Sequence, residues 1–240
     1  MIAFQGFVRA VSYLLSLCLL TAPSLPFSAA RALRSREEQT RIFACGNRAE
    51  RTVALTFDDG PHPVYTDRIL EVLDRYGIRA TFFVIGKNVE QYPEVFERVV
   101  SRGHSIGSHT YSHAHIGRIG EAQLIEEYEK NDALLKERGV STRLFRPPEG
   151  VCDGKVKGLA SKRACDVILW SIDTGDWRGT SADRIVMEVL DHACGGEIVL
   201  MHDYISGRGH TAEALEKLIP ELLRKGFEFV TVGELLGREE

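Results

Sequence analysis

From residue 51 onward, short runs rich in β-branched and aromatic residues alternate with segments of helical period, and no other feature limits the fold of this chain as tightly. Residues 53–57, 80–85, 104–108, 143–146, 167–172, 197–201 and 227–230 read as strands. Between them, Ile69, Leu70, Val72, Leu73 and Tyr76 form one apolar helical stripe that stops at Gly77. Leu124, Ile125, Tyr128, Leu134 and Leu135 form another that stops at Gly139. Gly103, Gly139 and Gly226 follow helices, where a left-handed residue is needed to end them. Repeated βα units predict an α/β domain on a parallel sheet, open or closed into a barrel. In such folds the chemistry gathers at the carboxyl ends of the strands. No internal repeat, low-complexity tract or second domain interrupts the pattern.

With 240 residues the chain can bury a sizeable core, so it needs neither a metal nor disulfides merely to fold. Thirty Lys+Arg against 34 Asp+Glu give a net charge of −4 with no run of like charges. Nucleic acid, which is held by phosphate attraction, is therefore excluded as the expected partner, and a neutral substrate fits better. A monomer is expected.

Residues 10–22 are apolar apart from Ser12, Ser16 and Thr21, follow a lone Arg9 and stop at Pro23. This is the length of a signal-peptide core and short of the ~17–25 residues of a membrane span. Small residues two apart, Ser28 and Ala30 or Ala30 and Ala32, suit a signal peptidase. The expected organisation is a signal peptide over 1–30, a linker over 31–50 and the catalytic domain over 51–236, with the domain exported to the periplasm, cell envelope or medium. Retention of 1–30 as an anchor is the alternative, and the only expected membrane contact. Without Cys18 the exported part keeps Cys45, Cys152, Cys165 and Cys194, for which three pairings are possible.

The strand ends carry the polar residues. The first runs into Thr56-Phe57-Asp58-Asp59-Gly60-Pro61. Two adjacent carboxylates after an apolar strand are costly unless a cation or an arginine lies beside them. A turn in which Asp58 caps and Gly60 bends the chain would also place them there. The third strand runs into Ser108-His109-Thr110-Tyr111-Ser112-His113. Two histidines four apart on one helical turn would face the same way, and with one aspartate they supply three metal ligands, leaving room for water and substrate. His104 and His115 read as structural or surface residues. Later strand ends add Arg146-Pro147-Pro148-Glu149-Gly150, Trp170-Ser171-Ile172-Asp173-Thr174-Gly175-Asp176-Trp177 and Ile198-Val199-Leu200-Met201-His202-Asp203.

In this order and spacing the five segments resemble the polysaccharide deacetylases, the carbohydrate esterase family built on the NodB-homology domain, over about residues 51 to 236. The resemblance implies a distorted (β/α)7-type barrel and removal of N-acetyl groups from amino sugars, in peptidoglycan first and chitin-type oligomers second. It implies a divalent metal, zinc, on Asp59, His109 and His113. Asp58 would be the general base, oriented by Arg146, and His202 the general acid, oriented by Asp173. The backbone N–H of Glu149 would hold the oxyanion, Leu200 would contact the acetyl methyl and Trp177 would wall the pocket. Asp176 would then be a helix-capping residue. Glu149 stands where the carbohydrate-active members usually carry an aromatic residue, which alters the rim of the groove. Two other functions fit the same fold: a catalytically inactive glycan-binding relative, and hydrolysis of a small-molecule amide.

Overall fold

The computed structural model describes residues 42–204 and 209–237. The expected signal segment over 1–30 and Cys18 lie outside them. Among the described residues no helix is long and apolar enough to cross a membrane.

Among the described residues nine strands form one sheet. They are β1 (Ile42–Phe43), β2 (Thr52–Asp58), β3 (Thr81–Val84), β4 (Ser105–Ser108), β5 (Leu144–Phe145), β6 (Asp166–Ile168), β7 (Ile172–Asp173), β8 (Glu197–His202) and β9 (Glu228–Phe229). Their order is β1-β6-β5-β4-β3-β2-β8-β7, with β9 also on β2, and every pairing between them is parallel. The helices are α1 (Tyr65–Tyr76), α2 (Gly86–Gln91), α3 (Pro93–Ser101), α4 (Glu121–Glu137), α5 (Gly154–Arg163), α6 (Ala182–His192), α7 (Thr211–Arg224) and α8 (Val232–Leu235).

Strands β6 and β7 stand near opposite ends of that order, yet only Leu169, Trp170 and Ser171 separate them. Four residue steps reach at most about 14 Å, so the sheet must curl until its two ends approach each other. The fold is the expected distorted (β/α)7 barrel. What reads in sequence as one strand over 167–172 is two, because the chain leaves one end of the sheet at Leu169 and joins the other at Ile172.

Alternation along β2 and β8 sets the two faces. Val53, Leu55 and Phe57, with Val199 and Met201, pack outward into the large core under the helices. Ala54 and Ile198 face inward, where they join Phe83, Leu144 and Ile168 in the barrel's own small core. Because the side-chain period is two, Thr56 and Asp58 continue the inward face of β2, and Leu200 and His202 that of β8. Register confirms the match, with Thr56 opposite Leu200 and Asp58 opposite His202. Gly103, Gly139 and Gly226 take φ of 76°, 79° and 78° as the helix ends require.

Residues 42–50 are not a linker. Ile42 and Phe43 pair with Val167 and Ile168, Cys45 bridges antiparallel to Glu197, and Gly46 N–H donates to the Gly196 carbonyl at 2.7 Å. Arg48 forms an ion pair with Glu197, which is 1% exposed. The absence of apolar periodicity in so short a segment hid it: a two-residue strand carries no pattern to read. Cys45, Cys152, Cys165 and Cys194 are all free. The Cys194 thiol donates to Glu197 at 3.0 Å, and Cys165 is buried in the cluster containing Tyr128.

Candidate active site

Asp58 ends β2 on the inward face and is 3% exposed. Such a carboxylate survives burial only with a partner, and Arg146, fully buried after β5, supplies it: its guanidinium donates to Asp58 Oδ1 at 2.6 Å and to Thr56 Oγ1 at 2.8 Å. Two further guanidinium N–H groups go to the carbonyls of Ile168 at 3.2 Å and Leu169 at 3.1 Å, and Cζ lies 4.1 Å from the Phe83 ring centre. Removing either member of a buried pair of this kind costs about 3–5 kcal/mol.

Asp59 follows in the left-handed region, at φ 78°, which turns its side chain away from Asp58. Its Oδ1 lies 3.5 Å from His109 Nε2 and 3.4 Å from His113 Nε2, and one ligand atom from each residue falls within 4.8 Å of the others. This Oδ1 is buried and accepts no hydrogen bond. His109 is buried, and its Nδ1 lies 2.7 Å from the Arg146 carbonyl, to which Nδ1–H can only donate. Burial pushes the ring below its ordinary range and so favours the neutral form, against the pull of Asp58 and Asp59. A neutral ring with its proton on Nδ1 turns a bare Nε2 toward Asp59. Three lone pairs thus converge with no proton between them, an arrangement that fits a divalent cation.

The two histidines do not share a helical turn, as their spacing suggests. Residues 109–115 are irregular, with Thr110 at φ 65° and His113 at φ 55°. Glu127 on α4 accepts from the backbone and hydroxyl of Ser112, both at 2.7 Å, and Thr110 Oγ1 accepts from His113 N–H at 3.1 Å. The loop is thus held from outside, and its bends rather than a helix bring the rings to 5.0 Å.

His202, at the end of β8, is oriented by Asp176 and not by Asp173. Asp176 Oδ1 lies 2.8 Å from His202 Nδ1, while Oδ2 accepts from His202 N–H and from Thr211 Oγ1, both at 2.8 Å. Asp173 instead accepts from Gly175 N–H at 2.9 Å and shapes the turn before Asp176. Burial lowers the His202 ring, but the hydrogen bond and charge of Asp176, with Asp58 and Asp59 behind, push it up to about 9. The signal that finds Asp176 is its burial, at 1% exposure, which the sequence does not display.

Asp203 also escaped the sequence. Buried beneath the Asp59 turn, it accepts from Gly60 N–H at 2.8 Å and Thr66 Oγ1 at 2.6 Å, and its own N–H donates to the Asp58 carbonyl at 3.1 Å. Burial, helped by Asp59 and Asp58 and opposed by Thr66 and Gly60, pushes its carboxyl up to about 7. A Cβ on Gly60 would lie 2.0 Å from Asp203 Oδ2, so the turn tolerates only glycine.

Glu149 has φ 60° in the short 3-10 turn Pro148–Gly150, and its carboxylate lies 2.7 Å from His115 Nδ1 at the surface. Leu200 is buried on the inward face. Trp177 is 51% exposed with Arg178 4.5 Å from its ring centre, so it stands at the rim rather than as an inner wall.

A curled parallel barrel with Asp58, His202 and a cation-ready Asp-His-His group at its carboxyl rim has the layout of a hydrolase. The polysaccharide deacetylase family matches residues 46–168, and the chain belongs to that family, whose hydrolases act on N-acetyl amide bonds. It is 38% identical over 189 residues to a peptidoglycan-N-acetylglucosamine deacetylase of Bacillus cereus, covering 78% of this chain and 68% of that protein. It is 36% identical to a chitooligosaccharide deacetylase of a Bradyrhizobium species, covering 77% of this chain and 90% of the relative. The crystal structure of a peptidoglycan N-acetylglucosamine deacetylase bound to 4-naphthalen-1-yl-N-oxidanyl-benzamide superposes with a TM-score of 0.81 at 34% identity, covering 86% of this chain and 97% of that one.

Proposed function

We propose that this protein is an exported, zinc-dependent deacetylase of N-acetylated amino sugars, with peptidoglycan as its substrate and chitin-type oligomers second. The observation that carries the reading is the buried, unpartnered Oδ1 of Asp59 facing two histidine Nε2 atoms. The names of the relatives supply the glycan.

Asp59, His109 and His113 would hold the zinc, which would supply Lewis acidity for the acetamide carbonyl and the attacking water. Asp58 would serve as base toward the attacking water: Arg146 holds Oδ1, leaving Oδ2, 3.8 Å from His109 Nε2, to accept the proton. The left-handed turn at Glu149 presents its backbone N–H to the oxyanion, and Leu200 meets the acetyl methyl. Protonated His202, fixed by Asp176, gives its proton to the departing amine.

The test is acetate release from peptidoglycan fragments and chitin oligomers by the purified protein, stripped of metal and reloaded with zinc. Zinc-dependent acetate, lowered at least ~100-fold in Asp58→Asn, is expected. Zinc bound without acetate from any glycan would instead indicate a glycan-binding relative or a small-amide hydrolase.

A further inference from the structure

The short helix α2, which starts just beyond β3, is tied to both of the turns that carry the candidate metal ligands. Its first N–H groups have no partner within the helix, and they donate to the loop between the two histidines. Gly86 N–H meets the Thr110 carbonyl at 3.1 Å and Lys87 N–H the Tyr111 carbonyl at 2.8 Å. Glycine at 86 permits the approach, since a Cβ there would lie 2.6 Å from Tyr111 Cδ2 and 2.9 Å from Asn131 Oδ1. The turn after β2 is held by the same segment. Ile85 N–H donates to the Gly60 carbonyl at 3.0 Å, and Asn88 Nδ2 donates to the Asp59 carbonyl at 2.6 Å.

That last bond falls on a telling peptide. The Asp59 carbonyl and the Gly60 N–H belong to one planar unit, and Asp203 Oδ1 accepts from the Gly60 N–H at 2.8 Å. The unit is therefore gripped at both of its polar atoms, by Asn88 on one side and Asp203 on the other. Its orientation sets the backbone of Asp59, whose φ of 78° is disfavoured for a residue with a Cβ. The direction of the Asp59 carboxylate follows from that backbone, and zinc accepts oxygen and nitrogen ligands only over a narrow range of about 2.0–2.2 Å. A released peptide would thus be felt at the metal before it is felt in the fold. Asn88 itself is half-buried and makes no other side-chain hydrogen bond among the described residues. Removing its amide leaves the backbone bonds of α2 in place, and alanine is the better helix former.

We propose that Asn88 is a positioning residue for the metal: by fixing the peptide after Asp59 it keeps that carboxylate facing His109 and His113, and through it α2 holds the two ligand-bearing turns in one arrangement. The role rests on the metal site of the proposed deacetylase and adds to it a residue that supplies no ligand atom. The Asp59 Oδ1 distances of 3.5 Å to His109 Nε2 and 3.4 Å to His113 Nε2 are the quantity that the amide protects.

Three measurements on the parent, Asn88→Ala and Asn88→Gln separate positioning from general support: zinc affinity by competition with a chelating dye, the visible spectrum of the cobalt-loaded protein, and melting of the metal-free protein. Asn88→Ala should weaken zinc about 10-fold, as loss of a hydrogen bond behind a metal ligand does. It should also alter the cobalt d–d band and leave the melting temperature within about 2 °C of the parent. Asn88→Gln keeps the amide on a longer arm and should return zinc affinity to within about threefold of the parent. Unchanged zinc affinity in Asn88→Ala, or a loss that Asn88→Gln does not restore, would overturn the role. So would a fall in melting temperature of more than about 5 °C, which would make Asn88 a support of the whole fold. A parent protein that binds no zinc overturns the metal site and the role with it. If zinc is held with the help of Asn88 by a protein that releases no acetate from any glycan, the role stands and the deacetylase function fails.

Discussion

Asp176 is the largest of the neighbours that keep His202 protonated, ahead of Asp58 and Asp59, so its effect can be tested by substitution. With its ordinary value at 6.5 unfolded and about 9 folded, the ring holds more protons in the folded chain between those limits. Its contribution to stability is therefore complete below about pH 6.5 and disappears as pH rises through about 9. Thermal unfolding of the metal-free protein should show this loss, and Asp176→Asn should remove it. In the zinc-loaded enzyme the same substitution should move the alkaline limb of the activity profile downward by at least about one pH unit. Asp173→Asn, which touches only a turn, should leave that limb in place; a shift there instead would reverse the assignment. In the sequence, Asp173 and Asp176 are both acids after one strand, and either could cap the coming helix. Only burial and the reach of Thr211, brought from the far end of the chain, separate them. Asp58 and Asp59 were legible because a paired carboxylate at an apolar strand end requires a compensating charge, whereas Arg146 as their partner came from the resemblance to the family.

At the scale of elements, the site is built by the loops after β2, β4 and β8, and Asp203 ties the first to the last. Gly60→Ala would force its methyl into the Asp203 carboxylate and release both Gly60 N–H and Thr66. Zinc affinity, measured by competition with a chelating dye, should fall about 10- to 100-fold, as expected when the support of a metal ligand is lost. Unchanged affinity would show that the turn carrying Asp59 is positioned by other contacts. The strands and the α1 and α4 stripes were readable from periodicity, which long packed elements display. The His109–His113 loop was not, because its shape comes from two left-handed residues, Thr110 and His113, and from Glu127, and neither leaves a periodic trace.

At the scale of the molecule, residues 42–50 belong to the barrel, where β1 extends the sheet at β6 and Arg48 neutralises a buried glutamate. A chain beginning at residue 51 would lose the Arg48–Glu197 pair, whose arginine is half-exposed, and the packing of Phe43 on the inner core, together about 1–3 kcal/mol. Its melting temperature should lie roughly 2–12 °C below that of a chain beginning at residue 41, by calorimetry on both. Equal melting would mean that the segment adds nothing to the barrel. The joint between β6 and β7 has a different kind of consequence. Two of the donors on Arg146 end on the carbonyls of Ile168 and Leu169, where the sheet's ends come together, and a third ends on Asp58. Arg146 is thus seated only where the end of β6 and the chain leaving it already lie beside β2, so in a partly assembled barrel Asp58 would stand without its buried support.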